Sequence, residues 1–350
     1  MQLKTIPRKI LVFNPSFIGD SILTTPLLKA LKKLAPQSEL CFCVRPESAP
    51  VLQSEEWRLI TFDKRGKEKG PAGFMRFLNR LIQEKFDLVI SAHRSARSAL
   101  LTAMTGAKTC VGYENAAFSF LYTHKVKRNM EEHEVERLLS LLLPLTVDYS
   151  LEAAKLLGGG LYTYCDSSYA ACSSAFMSSA AQTPLVGINA GSTWPTKRWP
   201  VEYFAQTAQK LHEYGLSIAI FGGPSDEDVN NRLRALIDFE YFDYTNKVAF
   251  EKIPALIGAM NLYITNDSAP MHIAVSRGVP VVALFGPTLS SFGFAPYDGQ
   301  NILCEKDSLP CRPCSKHGGV TCPEGHFRCM KELQSERVVE AALTLLGIST

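Results

Sequence analysis

Ile10-Leu-Val-Phe-Asn-Pro-Ser-Phe-Ile-Gly-Asp20-Ser-Ile-Leu-Thr-Thr-Pro26 decides how the rest of the 350-residue chain is read. An apolar run of strand length meets a glycine turn, one carboxylate, and then the apolar spacing of a helix. A strand-to-helix turn at the carboxyl end of a parallel strand is where open α/β sheets hold their ligands. Asp20 falls at the head of that helix, where the dipole favours an anion. Held ionised, it can take a proton from an alcohol; it can equally serve as an N-cap.

Outward from this stretch the same alternation repeats. Residues 9–13, 40–44, 87–90 and 109–112 read as strands, with helices over 21–34, 95–106 and 132–143. Alternating β and α units predict a mostly parallel, doubly wound sheet. The Ser- and Ala-rich stretch 167–183 reads as a helix running into a linker. A second series follows, with strands at 184–189, 216–221, 261–265 and 280–285 and helices over 201–214, 226–237, 253–260 and 269–278. The expectation is two Rossmann-like domains, 1–175 and 176–350, facing a central cleft. A last helix over 335–346 is free to cross back to the first domain.

The composition, 46% hydrophobic and 20% charged, is that of a globular enzyme. No apolar run nears the roughly 18 residues that span a bilayer. Residues 1–9 lack a signal peptide's apolar core, so a cytoplasmic protein is expected. Its ten cysteines are then read first as thiols or metal ligands. Charge is uneven: residues 1–150 carry 22 Lys and Arg against 15 Asp and Glu, whereas residues 151–350 carry 15 against 19. The basic half suits an anionic partner, whether a phospholipid surface, a phosphorylated glycolipid or nucleic acid, or is a solvated face.

Three loops of the second half point to an anionic ligand. In Ala190-Gly-Ser-Thr-Trp-Pro-Thr-Lys197-Arg198-Trp-Pro200, two cations precede a helix start, where the dipole disfavours them and an external phosphate explains them. Thr265-Asn-Asp267-Ser268-Ala-Pro-Met-His272 ends a strand and caps a helix, with Asp267 suited to a hydroxyl or a cap. Phe221-Gly-Gly-Pro-Ser-Asp226-Glu227-Asp228 places acids where a ribose diol binds, or where they simply complement the dipole. The chain lacks both G-x-G-x-x-G and a P-loop lysine motif, which argues against dehydrogenases and NTPases. Cys311, Cys314, Cys322 and Cys329 form a cluster open to zinc, to reduced thiols or to a reversible disulfide.

Gly19-Asp20 with Pro26, Lys197-Arg-Trp-Pro200, Phe221-Gly-Gly-Pro224, Thr265-Asn-Asp-Ser268 with Met271-His272, and Leu284-Phe-Gly-Pro-Thr288 together resemble glycosyltransferase family 9, the lipopolysaccharide heptosyltransferases. The Cys311–Cys329 loop is most similar to the second-heptose branch. The resemblance implies a GT-B fold and an inverting transfer that needs neither metal nor cofactor. It implies ADP-heptose as donor and a lipid A–Kdo–heptose acceptor, met at the cytoplasmic face of the inner membrane, with no nucleic acid. It makes Asp20 the general base and Lys197 the group steadying the departing ADP. Donor contacts are then Ser192, Thr193, Lys197, Arg198, Glu227, Asp267, Ser268, Ala269, Met271, His272 and Thr288. Acceptor contacts are Ser16, Gly19, Arg94, Arg97, His133 and Arg137. The rival expectations are a GT-B transferase or epimerase using another nucleotide sugar, and a non-catalytic binder of anionic glycolipids.

Overall fold

The computed structural model describes residues 1–167, 169–170, 183–306 and 308–349. The stretch expected to be a linker helix, 167–183, lies for the most part outside the described residues. The chain divides into two compact units, Met1–Tyr164 and Cys165–Thr350.

In the first unit six strands form one sheet: β1 (Lys9–Phe13), β2 (Glu39–Val44), β3 (Arg58–Thr61), β4 (Leu88–Ser91), β5 (Thr109–Tyr113) and β6 (His124–Val126). Every neighbouring pair is parallel and the order is β3-β2-β1-β4-β5-β6. Strand order reverses between β1 and β4, the position where such sheets open a crevice. Ile10, Leu11, Val12 and Phe13 are fully buried, as strands covered on both faces must be.

The helix expected over 21–34 begins earlier and breaks once. It forms α1 (Ile18–Leu23) and α2 (Thr25–Leu34). Pro26 has no N–H to donate to the carbonyl of Ile22. The Thr25 hydroxyl takes that carbonyl at 2.7 Å, and the Thr24 hydroxyl takes that of Asp20 at 2.8 Å. Gly19 is consequently a helical residue and not the tight turn its neighbours suggest. Two amphipathic helices follow, α3 (Gly70–Gln83) and α4 (Ala96–Ala103), then α5 (Glu134–Leu139), which runs into a 3-10 turn carrying Pro144, and α6 (Leu151–Gly158).

The second unit repeats the plan. Strands β7 (Leu185–Asn189), β8 (Ser217–Phe221), β9 (Phe242–Asp243), β10 (Leu262–Asn266), β11 (Val281–Phe285) and β12 (Asn301–Glu305) lie in the order β9-β8-β7-β10-β11-β12, all parallel. The helices are α7 (Val201–Glu213), α8 (Glu227–Leu236), α9 (Ile253–Gly258), α10 (Ala269–Ser276), α11 (Arg328–Lys331) and α12 (Ser335–Leu346). Helix α12 lays Val338, Ala342 and Leu343 into a core shared with Val201, Phe204, Leu284 and Cys304. Among the described residues no helix is long and apolar enough to cross a membrane.

Candidate functional site

The carboxyl ends of β7, β10 and β11 in the second unit supply three loops that meet at one carboxylate. Lys197 Nζ lies 2.5 Å from Asp267 Oδ2, and the Thr288 hydroxyl donates to the same oxygen at 2.8 Å. Asn266, the last residue of β10, sets their register. Its Oδ1 accepts the Trp199 amide at 3.0 Å, while its Nδ2 donates to the carbonyls of Ala190 and Gly191. Trp199 is buried against Phe204 and donates its indole N–H to the Leu333 carbonyl, which pins the lysine loop to the core.

The case for an external anion beside Lys197 and Arg198 changes accordingly. Both cations have partners within the unit: Lys197 has Asp267, and Arg198 donates to the Ser192 carbonyl at 2.8 Å and lies 3.8 Å from Asp226. The dipole conflict seen in the sequence is thus relieved by buried acids. An ammonium carries three donors, so one carboxylate does not exhaust Lys197.

Beside this pair the first turn of α10 opens. Ser268 caps it in extended conformation, with its hydroxyl on the Asn266 carbonyl rather than on an amide. Ala269 follows, half-buried. Met271 and His272 are buried, so their side chains belong to the packing of α10 and not to an open surface. Thr193 is exposed on the loop and Ser192 is buried beneath it. Of the acids after β8, Asp226 is the inner one. Burial pushes its carboxyl above the usual range against the opposing pull of the Gly223 amide and Arg198. Glu227 instead ties its own unit together, accepting from Arg234 at 3.4 Å and from Asn246.

In the first unit Asp20 is the third residue of α1, and its Oδ2 accepts the Phe17 amide at 3.2 Å. The N-cap expected at Asp20 is therefore Phe17, and the Asp20 carboxylate satisfies the N-cap amide from the third helical position. Ser16 donates to Asn14 Oδ1 at 2.6 Å and Asn14 donates to the Thr24 hydroxyl at 2.8 Å, which fixes the loop around Asp20. Arg94 is exposed. Arg97 lies over the rings of Phe62 and Phe74, at 5.0 and 5.7 Å, and donates to the Glu68 carbonyl.

Two expected acceptor contacts have partners within the first unit. His133 is the N-cap of α5: its Nδ1 accepts the Val135 amide and its own amide reaches Glu136. Arg137 is completely buried and donates to the carbonyls of Asn129 and Met130 and to Glu134, which also binds Arg128. A fully enclosed guanidinium with all these partners is structural.

Sequence reading missed Arg45, Lys64 and His93, which follow the carboxyl ends of β2, β3 and β4. Arg45 stacks over the Phe17 ring at 5.1 Å, and Lys64 Nζ lies 3.4 Å from the Pro15 carbonyl. Burial, with the charges of Lys64, Arg94 and Arg45, depresses His93 to about 4. Their signal was positional: each stands just past a strand end, but β3 is a short edge strand without a long apolar run.

The cysteine loop is fastened to the lysine loop. The Thr196 amide and hydroxyl both donate to the Gly319 carbonyl, and Cys314 N–H donates to Pro287 at 3.1 Å. Cys314, Cys322 and Cys329 line one small cavity with Thr196 and Pro287. Burial above all pushes the Cys329 thiol up to about 11, with Cys314, Cys322 and Cys311 adding to it. Among the described residues no three His, Cys, Asp or Glu side chains converge as a metal ligand set.

Two doubly wound parallel sheets of the same strand order, one in each unit, are the two Rossmann-like halves of the GT-B class of fold. Residues 74–324 match the model of glycosyltransferase family 9 (heptosyltransferase), and the chain belongs to that family. It is 33% identical over 167 residues to lipooligosaccharide heptosyltransferase 2 of Campylobacter jejuni; that match spans 46% of this chain and 51% of the relative. The structure resembles that of a family 9 glycosyl transferase from Veillonella parvula, with a TM-score of 0.85, 28% identity and 99% of each chain covered. It also shares its fold with Escherichia coli ADP-heptose lps heptosyltransferase II, with a TM-score of 0.76 and 21% identity over 97% of this chain and 98% of that one.

Proposed function

We propose that the protein transfers heptose from ADP-heptose to the inner-core heptose or Kdo of a lipopolysaccharide precursor, with inversion at the anomeric carbon and without a metal. The observation that carries this reading is the Lys197–Asp267–Thr288 cluster beside the start of α10. A diphosphate leaving group needs positive charge placed in advance of bond breaking. Lys197, held by a buried carboxylate instead of swinging in solvent, supplies that charge at a fixed point. The N-terminal end of α10 adds amide dipoles of the same sign.

Inversion is a single displacement, so a base and a leaving-group clamp act on opposite sides of one carbon. Asp20 is the base in this scheme. It accepts the acceptor hydroxyl's proton as the new C–O bond forms and the bond to ADP breaks. Arg94, Arg45 and Lys64 give the acceptor side an excess of cations suited to acidic sugars and phosphates, beside the Ser16–Gly19 turn. In this reading the acceptor is lipid-linked and the transfer is carried out at a membrane surface.

The test is product formation by the purified protein supplied with ADP-heptose and with UDP-sugars, using a lipopolysaccharide precursor that ends in Kdo or heptose I. The reading expects transfer from ADP-heptose alone and an inverted anomeric proton signal in the product. Preference for a UDP donor, or retention of configuration, overturns it.

A further inference from the structure

Between β5 and β6 the chain makes a turn that points two phenylalanines toward water. Phe118 is 44% and Phe120 73% exposed, and their rings meet edge-to-face with centroids 6.0 Å apart. Isolated exposed apolar residues are ordinary on a protein surface; an aromatic pair on one short turn is not. The turn is built to hold them there. Phe118 has a φ of +56°, a left-handed conformation that a bulky residue adopts only when its surroundings enforce it.

Those surroundings are visible. Ala117 N–H donates to the Arg94 carbonyl at 3.1 Å, and Leu121 N–H closes on the Phe118 carbonyl at 3.0 Å. Buried Tyr122 donates its hydroxyl to Ser91 on β4 at 3.0 Å. The turn is thus tied on one side of the rings to the loop after β4 and on the other, through a side chain, to β4 itself. Exposed Arg94 adjoins the turn, and His124, Lys125 and Lys127 follow it, all exposed; Glu114 is the one acid on this connection.

We propose that Phe118 and Phe120 form a wedge that enters the headgroup region of an anionic phospholipid membrane, with Lys125 and Lys127 drawing it there. Aromatic rings settle at the boundary between head groups and acyl chains, and neighbouring cations add attraction to anionic lipid. Lysines flanking a protruding ring pair match a soft anionic surface better than the shaped, desolvated pocket of a protein partner. The inference rests on the proposed lipid-linked acceptor. Because Arg94 backs the turn, a membrane seated here lies on the acceptor side of the first unit.

Co-sedimentation with vesicles of phosphatidylethanolamine and phosphatidylglycerol tests it. The full-length protein is expected to bind, more weakly as salt rises. Phe118→Ser/Phe120→Ser is expected to lose affinity roughly ten-fold or more. Phe120→Trp keeps the ring, and its emission is expected to shift to the blue on vesicles and to be quenched by brominated lipid. The serine double variant should also transfer normally to a deacylated, water-soluble acceptor and poorly to one embedded in vesicles. Vesicle binding unchanged in that variant, or tryptophan emission that vesicles leave unmoved, overturns the wedge. Vesicle binding that needs both phenylalanines in a protein that never uses ADP-heptose supports the wedge and contradicts the proposed reaction instead.

Discussion

Lys197 was legible in the sequence as a cation out of place before a helix start, but its partner was not. Asp267 lies 70 positions away, and only the parallel pairing of β7 with β10 brings the two together. Removing one member of so enclosed a pair strands the other. Lys197→Met is expected to destabilise the fold by about 3 kcal/mol, read from urea unfolding. Adding Asp267→Asn should restore most of that stability while leaving transfer undetectable. A second titration belongs to His93. The folded protein keeps it neutral down to about pH 4, whereas the unfolded chain takes up the proton near the ordinary imidazole value of 6.5. Stability therefore falls as pH drops from 6.5 to 4 and is indifferent to this group below that. His93→Asn should flatten the pH dependence of unfolding in that window; an unchanged slope would show that His93 ionises freely in the folded state.

At the level of elements, long apolar strands and helix starts were readable because their signals are local. The last helix agrees with its expected bounds, and β1, β7 and β10 lie within a residue or two of theirs. The edge strands β3, β6, β9 and β12 were missed because they are half-polar and mostly short, so pairing rather than sequence makes them strands. Helix α3 carries Phe77, Leu78 and Leu81 on one buried face and was there to be read. The internal partners of His133 and Arg137 were unreadable for a related reason. A charged or polar residue on a helix looks available until the fold shows what covers it. The Arg128–Glu134–Arg137 triad holds α5 to the strand end it follows. Glu134→Ala leaves two buried guanidinium groups without their carboxylate and is expected to cost about 3–5 kcal/mol, measurable by denaturant midpoint. A cost below about 1 kcal/mol would mean that the triad is solvated.

For the whole molecule, two parallel, doubly wound sheets followed from two βα series in the sequence, and the family from loops spread over nearly the full chain. The site was legible as a set of loops; which side chains are open within it required the packed structure. If the second unit binds the donor through its nucleotide, ADP at a hundred times its dissociation constant should stabilise the protein by about 2.7 kcal/mol. The rise in melting temperature should be absent with UDP at the same concentration. The most direct test of the account is the turnover of Asp20→Asn with ADP-heptose and a lipopolysaccharide acceptor. Loss of a general base lowers kcat by roughly 10²–10⁴-fold, and ADP affinity should stay at the wild-type value. Turnover within about two-fold of wild type would leave Asp20 as nothing more than the carboxylate that satisfies the N-cap amide of α1 and contradict the proposed mechanism.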